Sequence, residues 1–185
     1  MQKIRPTTRD AIIEAAFSAY AENPAAALSD VAKRAGVGRA TLHRHFPGRA
    51  DLMRALAVVA IDELDEAVEA ATANVTSATD GLRLALHAIV PLADRQWFLA
   101  QEGLEFDPSL AAAYQTSLDE LRTEIDAAKA EGAFATDAPS VWIAAAYENL
   151  TYAAWSLVRS GEATPKQAAD LAWRTLIQGL KGDLT

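Results

Sequence analysis

The 185-residue sequence contains no cysteine, which excludes disulfides and thiolate metal sites. Histidine is scarce too, at three residues, and His43 and His45 sit at i, i+2, a spacing that points two helical side chains in different directions and suits chelation poorly. There is no HExxH, GxSxG, Walker sequence or glycine-rich dinucleotide loop, and no Glu-x-x-His pair of a di-iron bundle. No enzyme and no cofactor is expected. The carboxylates Glu102, Glu105 and Asp107 do cluster, but around a helix break that they cap or solvate. Apolar runs such as Leu56 to Ile61 fall far short of the about 20 residues of a membrane span, so no membrane partner is expected. The start MQKIRPTTRD shows no apolar signal core, which makes a cytoplasmic location the expectation and the Asn74-Val75-Thr76 sequon inconsequential.

What is present is concentrated between Ala27 and Leu52. ALSDVAKRAGVGRATLHRHFPGRADL reads as two short helices around a glycine turn. The first, Leu28 to Ala35, turns Val31, Ala32 and Ala35 inward, and Gly36 supplies the left-handed residue that ends it. Val37 fills the elbow. The second runs from Gly38 or Arg39 to Phe46, with Leu42 and Phe46 one turn apart on its inner face. That phase pushes Ala40, Thr41 and Arg44 outward, flanked by His43 and His45. Small, hydroxyl and basic side chains on a short exposed helix suit a DNA major groove, where close backbone approach, phosphate contacts and base-edge hydrogen bonds are all needed.

These residues carry a resemblance. DVAKRAGVGRATLHRHFPGRADL is similar to the DNA-binding segment of the tetracycline-repressor (TetR) family of bacterial regulators, over roughly Thr7 to Leu64. The remainder matches only in layout. The family usually has Tyr at the position of His43, where it contacts a backbone phosphate, and often Ser or Thr at Ala27 and Gly38. Imidazole donates the same hydrogen bond but is shorter and partly neutral at pH 7, so operator affinity is expected to depend on pH. Losing the hydroxyl caps should weaken each helix start, by about 1 kcal/mol for Ala and a few tenths for Gly.

Net charge of −8 argues against nucleic acid until its distribution is considered. Residues 1–54 hold nine Lys or Arg against five acids, and the remainder eight against twenty. A basic head on an acidic body holds one face on phosphate and repels the other. The expected contacts are Arg39, Ala40, Thr41, His43 and Arg44 in the groove, with Ser29 and His45 beside them. Arg49 and the amino-terminal arm around Lys3 and Arg5 are assigned to phosphate.

The rest reads as all-α, about nine helices in total, because 3.6-residue periodicity recurs and no stretch alternates cleanly enough for a strand. The first helix starts at Thr7 or Thr8, buries Ile12, Ile13, Ala16, Phe17 and Tyr20, and stops at Asn23-Pro24. A fourth runs from about Arg49 to Asn74 and turns Leu52, Leu56, Val59 and Leu64 inward. Further helices are expected at Gly81 to Ala93, Arg95 to Glu102, Pro108 to Glu131, Pro139 to Ser160 and Pro165 to Leu180. Asp107-Pro108 and Thr164-Pro165 place an N-cap before a first-turn proline, Gln167 completes a capping box with Thr164, and Gly132 and Gly161 mark ends. Two domains follow, a helix-turn-helix head over residues 1–48 and a ligand-binding and dimerisation body over 49–185.

The last two long helices carry small residues that permit close helix approach: Ala144 to Ala146, Ala153, Ala154, Ala168, Ala169 and Ala172. Either they pair two subunits or they pack within one. The resemblance implies the homodimer, which would set two heads about 34 to 36 Å apart on successive half-sites. The body also holds the four tryptophans and a mixture of aromatic and polar groups. Trp97, Phe98, Phe106, Tyr114, Trp142, Tyr152 and Trp155, with His87, Glu102 and Asn149, are the candidate lining of a pocket for a small, mainly apolar effector. Trp142, Asn149 and Tyr152 are read as one stripe at i, i+7 and i+10; plain core is the competing reading of the aromatics. The expected function is a homodimeric regulator, most often a repressor, released from a palindromic double-stranded operator by that effector. The alternative is a ligand- or partner-binding helical protein whose head is only a scaffold.

Overall fold

The computed structural model describes residues 7–96 and 108–180. Among them are eight α-helices, α1 (Thr8–Glu22), α2 (Leu28–Arg34), α3 (Arg39–His45), α4 (Arg49–Thr72), α5 (Ala78–Ile89), α6 (Pro108–Ala130), α7 (Ser140–Arg159) and α8 (Pro165–Gly179). A 3-10 turn, Val90–Leu92, follows α5, and no strand occurs among the described residues. The helix expected at Arg95 to Glu102 lies largely outside them, as does Asp107.

The ends are chosen by local chemistry. Thr7 and Asp10 form a capping box on α1, as Thr164 and Gln167 do on α8. α5 starts at Ala78, earlier than Gly81, because Ser77 accepts from the Asp80 N–H and caps it. At the end of α2, Gly36 adopts φ 67°, its N–H reaches the Lys33 carbonyl and the Val37 N–H reaches that of Ala32. Ala27 and Gly38 give no side-chain cap, yet the Asp30 carboxylate accepts from the Ala27 N–H at 3.0 Å, which supplies half of a box without a hydroxyl.

Two apolar cores result. The head core joins Ile12, Phe17 and Tyr20 of α1, Val31 of α2 and Leu42 of α3 to Leu52, Leu56 and Ala60 of α4, and it also takes Leu110 of α6. The packing unit therefore runs past the boundary expected at residues 48/49. The body core joins Leu82 and Leu86 of α5, Ile125 of α6, Ile143 and Ala144 of α7, and Ala168, Ala169, Ala172 and Leu176 of α8. Ala144, Ala154, Ala168, Ala169 and Ala172 are thus buried inside one subunit, which settles the open choice for these five in favour of packing within the chain.

A polar clamp binds the two units. Arg95 donates to Glu14 of α1 at 2.7 Å and to Glu63 of α4, and its guanidinium lies 4.6 Å from the centre of the Phe17 ring. Beside it, the buried Gln96 amide donates to the Ala60 carbonyl at 2.8 Å. Burial raises the Glu63 carboxyl above its ordinary range, opposed by the Arg95 charge. At the other end of the body, Glu131 accepts from Ser77, the Ala78 N–H and both donors of Thr79, and these hydrogen bonds, led by that of the Thr79 hydroxyl, lower its carboxyl to about 2.

Two outcomes are expected. Arg95→Lys keeps the charge but loses the planar fork that serves two carboxylates, and Arg95→Ala also strands Glu63, so urea midpoints should fall in the order parent, Arg95→Lys, Arg95→Ala. Equal midpoints would show that the clamp does not bear on stability. Glu131→Gln should melt below the parent above pH 4.5, and the gap should close as pH falls toward about 2. A depressed carboxyl contributes stability that is complete above its unfolded value and is lost as the folded group protonates.

Candidate functional site

The outer face of α3 is set by what its inner face buries. Leu42 and Phe46 are buried in the head core, which fixes the phase of a helix only seven residues long. Arg39, Ala40, His43 and Arg44 consequently stand exposed in a row, with Thr41, His45 and, on α2, Ser29 half-buried beside them. His43 Nδ1 lies 3.2 Å from the Pro47 carbonyl. A carbonyl only accepts, so Nδ1 carries the proton in that bond and Nε2 is left on the other side of the ring.

The remaining basic groups divide. Arg34 is held by Glu22 through both guanidinium nitrogens, at 2.9 and 2.5 Å, and by Ser18 at 2.6 Å, which ties α2 to α1. Arg49 lies over the Tyr20 ring at 4.7 Å and donates to the Pro24 carbonyl, so it fastens the start of α4 to the head. Lys3 and Arg5 lie outside the described residues.

A second feature is a cleft of about 1220 Å³ in the body. Its walls come from the second half of α4, from α5, α6 and α7, and from Gln96. Leu64 and Val68 of α4 and Leu118 of α6 face it and belong to neither core. Its aromatic lining is Tyr114, Tyr147, Tyr152 and Trp155. Tyr152 meets Trp155 edge to face with ring centres 5.3 Å apart. The buried Tyr147 hydroxyl donates to the Leu82 carbonyl at 3.0 Å, and the Trp155 indole to that of Ile89 at 3.1 Å, so backbone satisfies both polar ends.

Of the expected pocket residues, then, Tyr114, Tyr152 and Trp155 lie on this wall and three others do not. Trp142 is 64% exposed, and Asn149, also exposed, donates to the Ala145 carbonyl of its own helix. The stripe of Trp142, Asn149 and Tyr152 is corrected by arithmetic: at about 100° per residue, i+7 returns to within about 20° of the start but i+10 lies about 80° away. Tyr152 thereby turns into the cleft while the other two face out. His87 lies 3.3 Å from Asp170 of α8, away from the cleft. Trp97, Phe98, Glu102 and Phe106 lie outside the described residues.

Sequence reasoning missed the acidic side chains of the cleft, Asp65 and Glu69 on α4, Glu120 and Glu124 on α6, and Glu148 on α7. The signal was there in the spacing. Asp65/Glu69 and Glu120/Glu124 are like charges at i, i+4, which isolated helices disfavour. Among the described residues there is no cluster of metal-ligand side chains, and no helix is long and apolar enough to cross a membrane.

Known proteins match this arrangement from end to end. Residues 12–56 match the family described as bacterial regulatory proteins, tetR family. The HTH-type transcriptional repressor LfrR of Mycolicibacterium smegmatis is 32% identical over 178 residues, which cover 95% of this chain and 92% of LfrR. The crystal structure of the TetR-like regulator LfrR from Mycobacterium smegmatis in complex with proflavine superposes with a TM-score of 0.78 at 31% identity, covering 94% of this chain and 96% of that one. The ketosteroid transcriptional regulator KstR2 of Mycobacterium tuberculosis shares the fold at 16% identity, with a TM-score of 0.79 and coverage of 97% of each chain. With a head that presents a seven-residue helix and a relative of this identity along nearly its whole length, the chain belongs to the TetR family of transcriptional regulators.

Proposed function

We propose that this chain is a homodimeric repressor that holds a palindromic operator with α3 and is released when a small, mainly apolar molecule fills the cleft. The observation that carries the reading is the shared helix α4, whose first half is in the head core and whose second half lines the cleft. An occupant that presses on Leu64 or Val68 acts on the same rigid rod that Leu52 and Leu56 fix to the head. Release needs only that the occupant bind better to a head spacing that no longer fits successive major grooves. That LfrR was crystallised with the flat aromatic molecule proflavine supports an effector role for the cleft.

Arg39, Ala40, Thr41, His43 and Arg44 are the groove-facing set, Ser29 and His45 flank it, and Arg49, Lys3 and Arg5 are assigned to phosphate. Dimerisation is assigned to the outer faces of α7 and α8. There Trp142, Ala145, Asn149 and Ala153 repeat at i, i+3, i+7 and i+11, all exposed, and Leu171 of α8 is 46% exposed. A 64%-exposed tryptophan is a large apolar surface to leave in water, and it suits the centre of a subunit interface.

Selection of bound genomic fragments by the purified chain, followed by a salt titration on the best one, tests the reading. A palindrome whose log affinity falls linearly with log salt is the expected result, and no saturable duplex binding at moderate salt would leave the head a scaffold. On that fragment Arg44→Ala should weaken binding by about 1 to 3 kcal/mol if the guanidinium reads a base edge, and unchanged binding removes Arg44 from the interface. Trp142→Glu should yield monomers in sedimentation and weaken operator binding while the helical content stays as in the parent. A dimer that survives it moves the interface elsewhere.

A further inference from the structure

The cleft combines an aromatic lining with carboxylate walls. Asp65 and Glu69 project from α4 and Glu120 and Glu124 from α6, while Glu148 of α7 is half-buried and accepts from the Tyr114 hydroxyl at 3.1 Å. Glu131 also touches the cleft, but its oxygens are taken up by the start of α5. No Lys, Arg or His side chain is among the described lining residues. Arg122, whose charge acts on Glu148, lies off that wall and pairs with Asp119 at 3.0 Å.

We infer that the cleft selects a lipophilic cation with a flat aromatic body, the Asp65 and Glu120 carboxylates reading its charge and Tyr152, Trp155 and Tyr114 its rings. The inference rests on the reading of the cleft as the effector site and adds the effector's chemical class. Carboxylates gathered along one concavity focus a negative potential that a cation relieves and an anion aggravates, even though Asp65, Glu69, Glu120 and Glu124 are themselves exposed. A neutral ring of the same shape gains only the burial, whereas a cation also gains from the aromatic faces. Asp65 is raised above the usual carboxylate range by burial and then by the charges of Glu120 and Asp62, and Glu148 is raised by burial against the pull of Tyr114 and Arg122. Glu69 and Glu124 place a further carboxylate one turn along each wall, so the acidic lining extends along a groove, as an elongated ring system needs.

Calorimetric titration of the full chain with 9-aminoacridine, a cation in mildly alkaline buffer, and with acridine, the neutral ring under the same conditions, tests this. The cation should bind about tenfold or more tightly than the neutral ring, and the Asp65→Asn/Glu120→Gln double variant should abolish the preference while leaving acridine binding unchanged. Glu162→Gln, an exposed position off the cleft, should preserve it, which rules out diffuse surface charge. Equal affinities, no binding of either ring, or a preference that survives the double variant would overturn the inference. Operator binding measured with and without 9-aminoacridine separates this from the repressor reading: preferential binding of the cation with operator affinity unchanged keeps the ligand class and sinks the release mechanism. Operator binding by a chain without the preference keeps the regulator and sinks the ligand class.

Discussion

The joint at Arg95 is the contact on which the remaining architecture depends. Two apolar cores of a small helical protein have no intrinsic reason to keep a fixed relative orientation, and among the described residues the helix that contributes to both is α6, through Leu110 on one side and Ile125 and Ala128 on the other. Arg95 closes that freedom by reaching α1 and α4 with one planar group laid over Phe17. Lysine lacks the geometry to serve two carboxylates at once. Gln96 extends the joint to the cleft, because its side chain both lines the cavity and holds the Ala60 carbonyl at the edge of the head core. Gln96 therefore belongs both to the wall of the cleft and to the joint with the head core.

Charge is used in opposite senses at the two ends. In the head, Arg34 and Arg49 fasten helices to one another, which leaves the exposed row of α3 with Arg39 and Arg44 as its fully charged members. In the body, the acidic excess includes Asp65, Glu69, Glu120, Glu124 and Glu148 along the cleft.

The elements whose instructions are local were legible in the sequence. The helix start at Thr7 or Thr8, the capping box at Thr164, the glycine turns at Gly36, Gly132 and Gly161, and the inward pair Leu42 and Phe46 are each decided within a few residues, and each stands where the sequence placed it. The cleft was only partly legible. Which flank of α7 meets α6 and which meets solvent is settled by packing between distant segments, and an error of about 80° in phase exchanged Trp142 and Asn149 for Tyr147 and Thr151 as neighbours of Tyr152. The clamp was invisible for the same reason: Arg95 and Glu14 are 81 residues apart, and nothing near either announces the other.

Leu64, Val68 and Leu118 face the cleft without joining either core. Core positions are constrained by folding because each loss of packing is paid in stability, whereas replacements on a solvent-facing wall cost little. Natural variation can therefore accumulate on this surface while the head stays the same. The fold thereby lets one surface diversify while the scaffold that carries it is inherited unchanged.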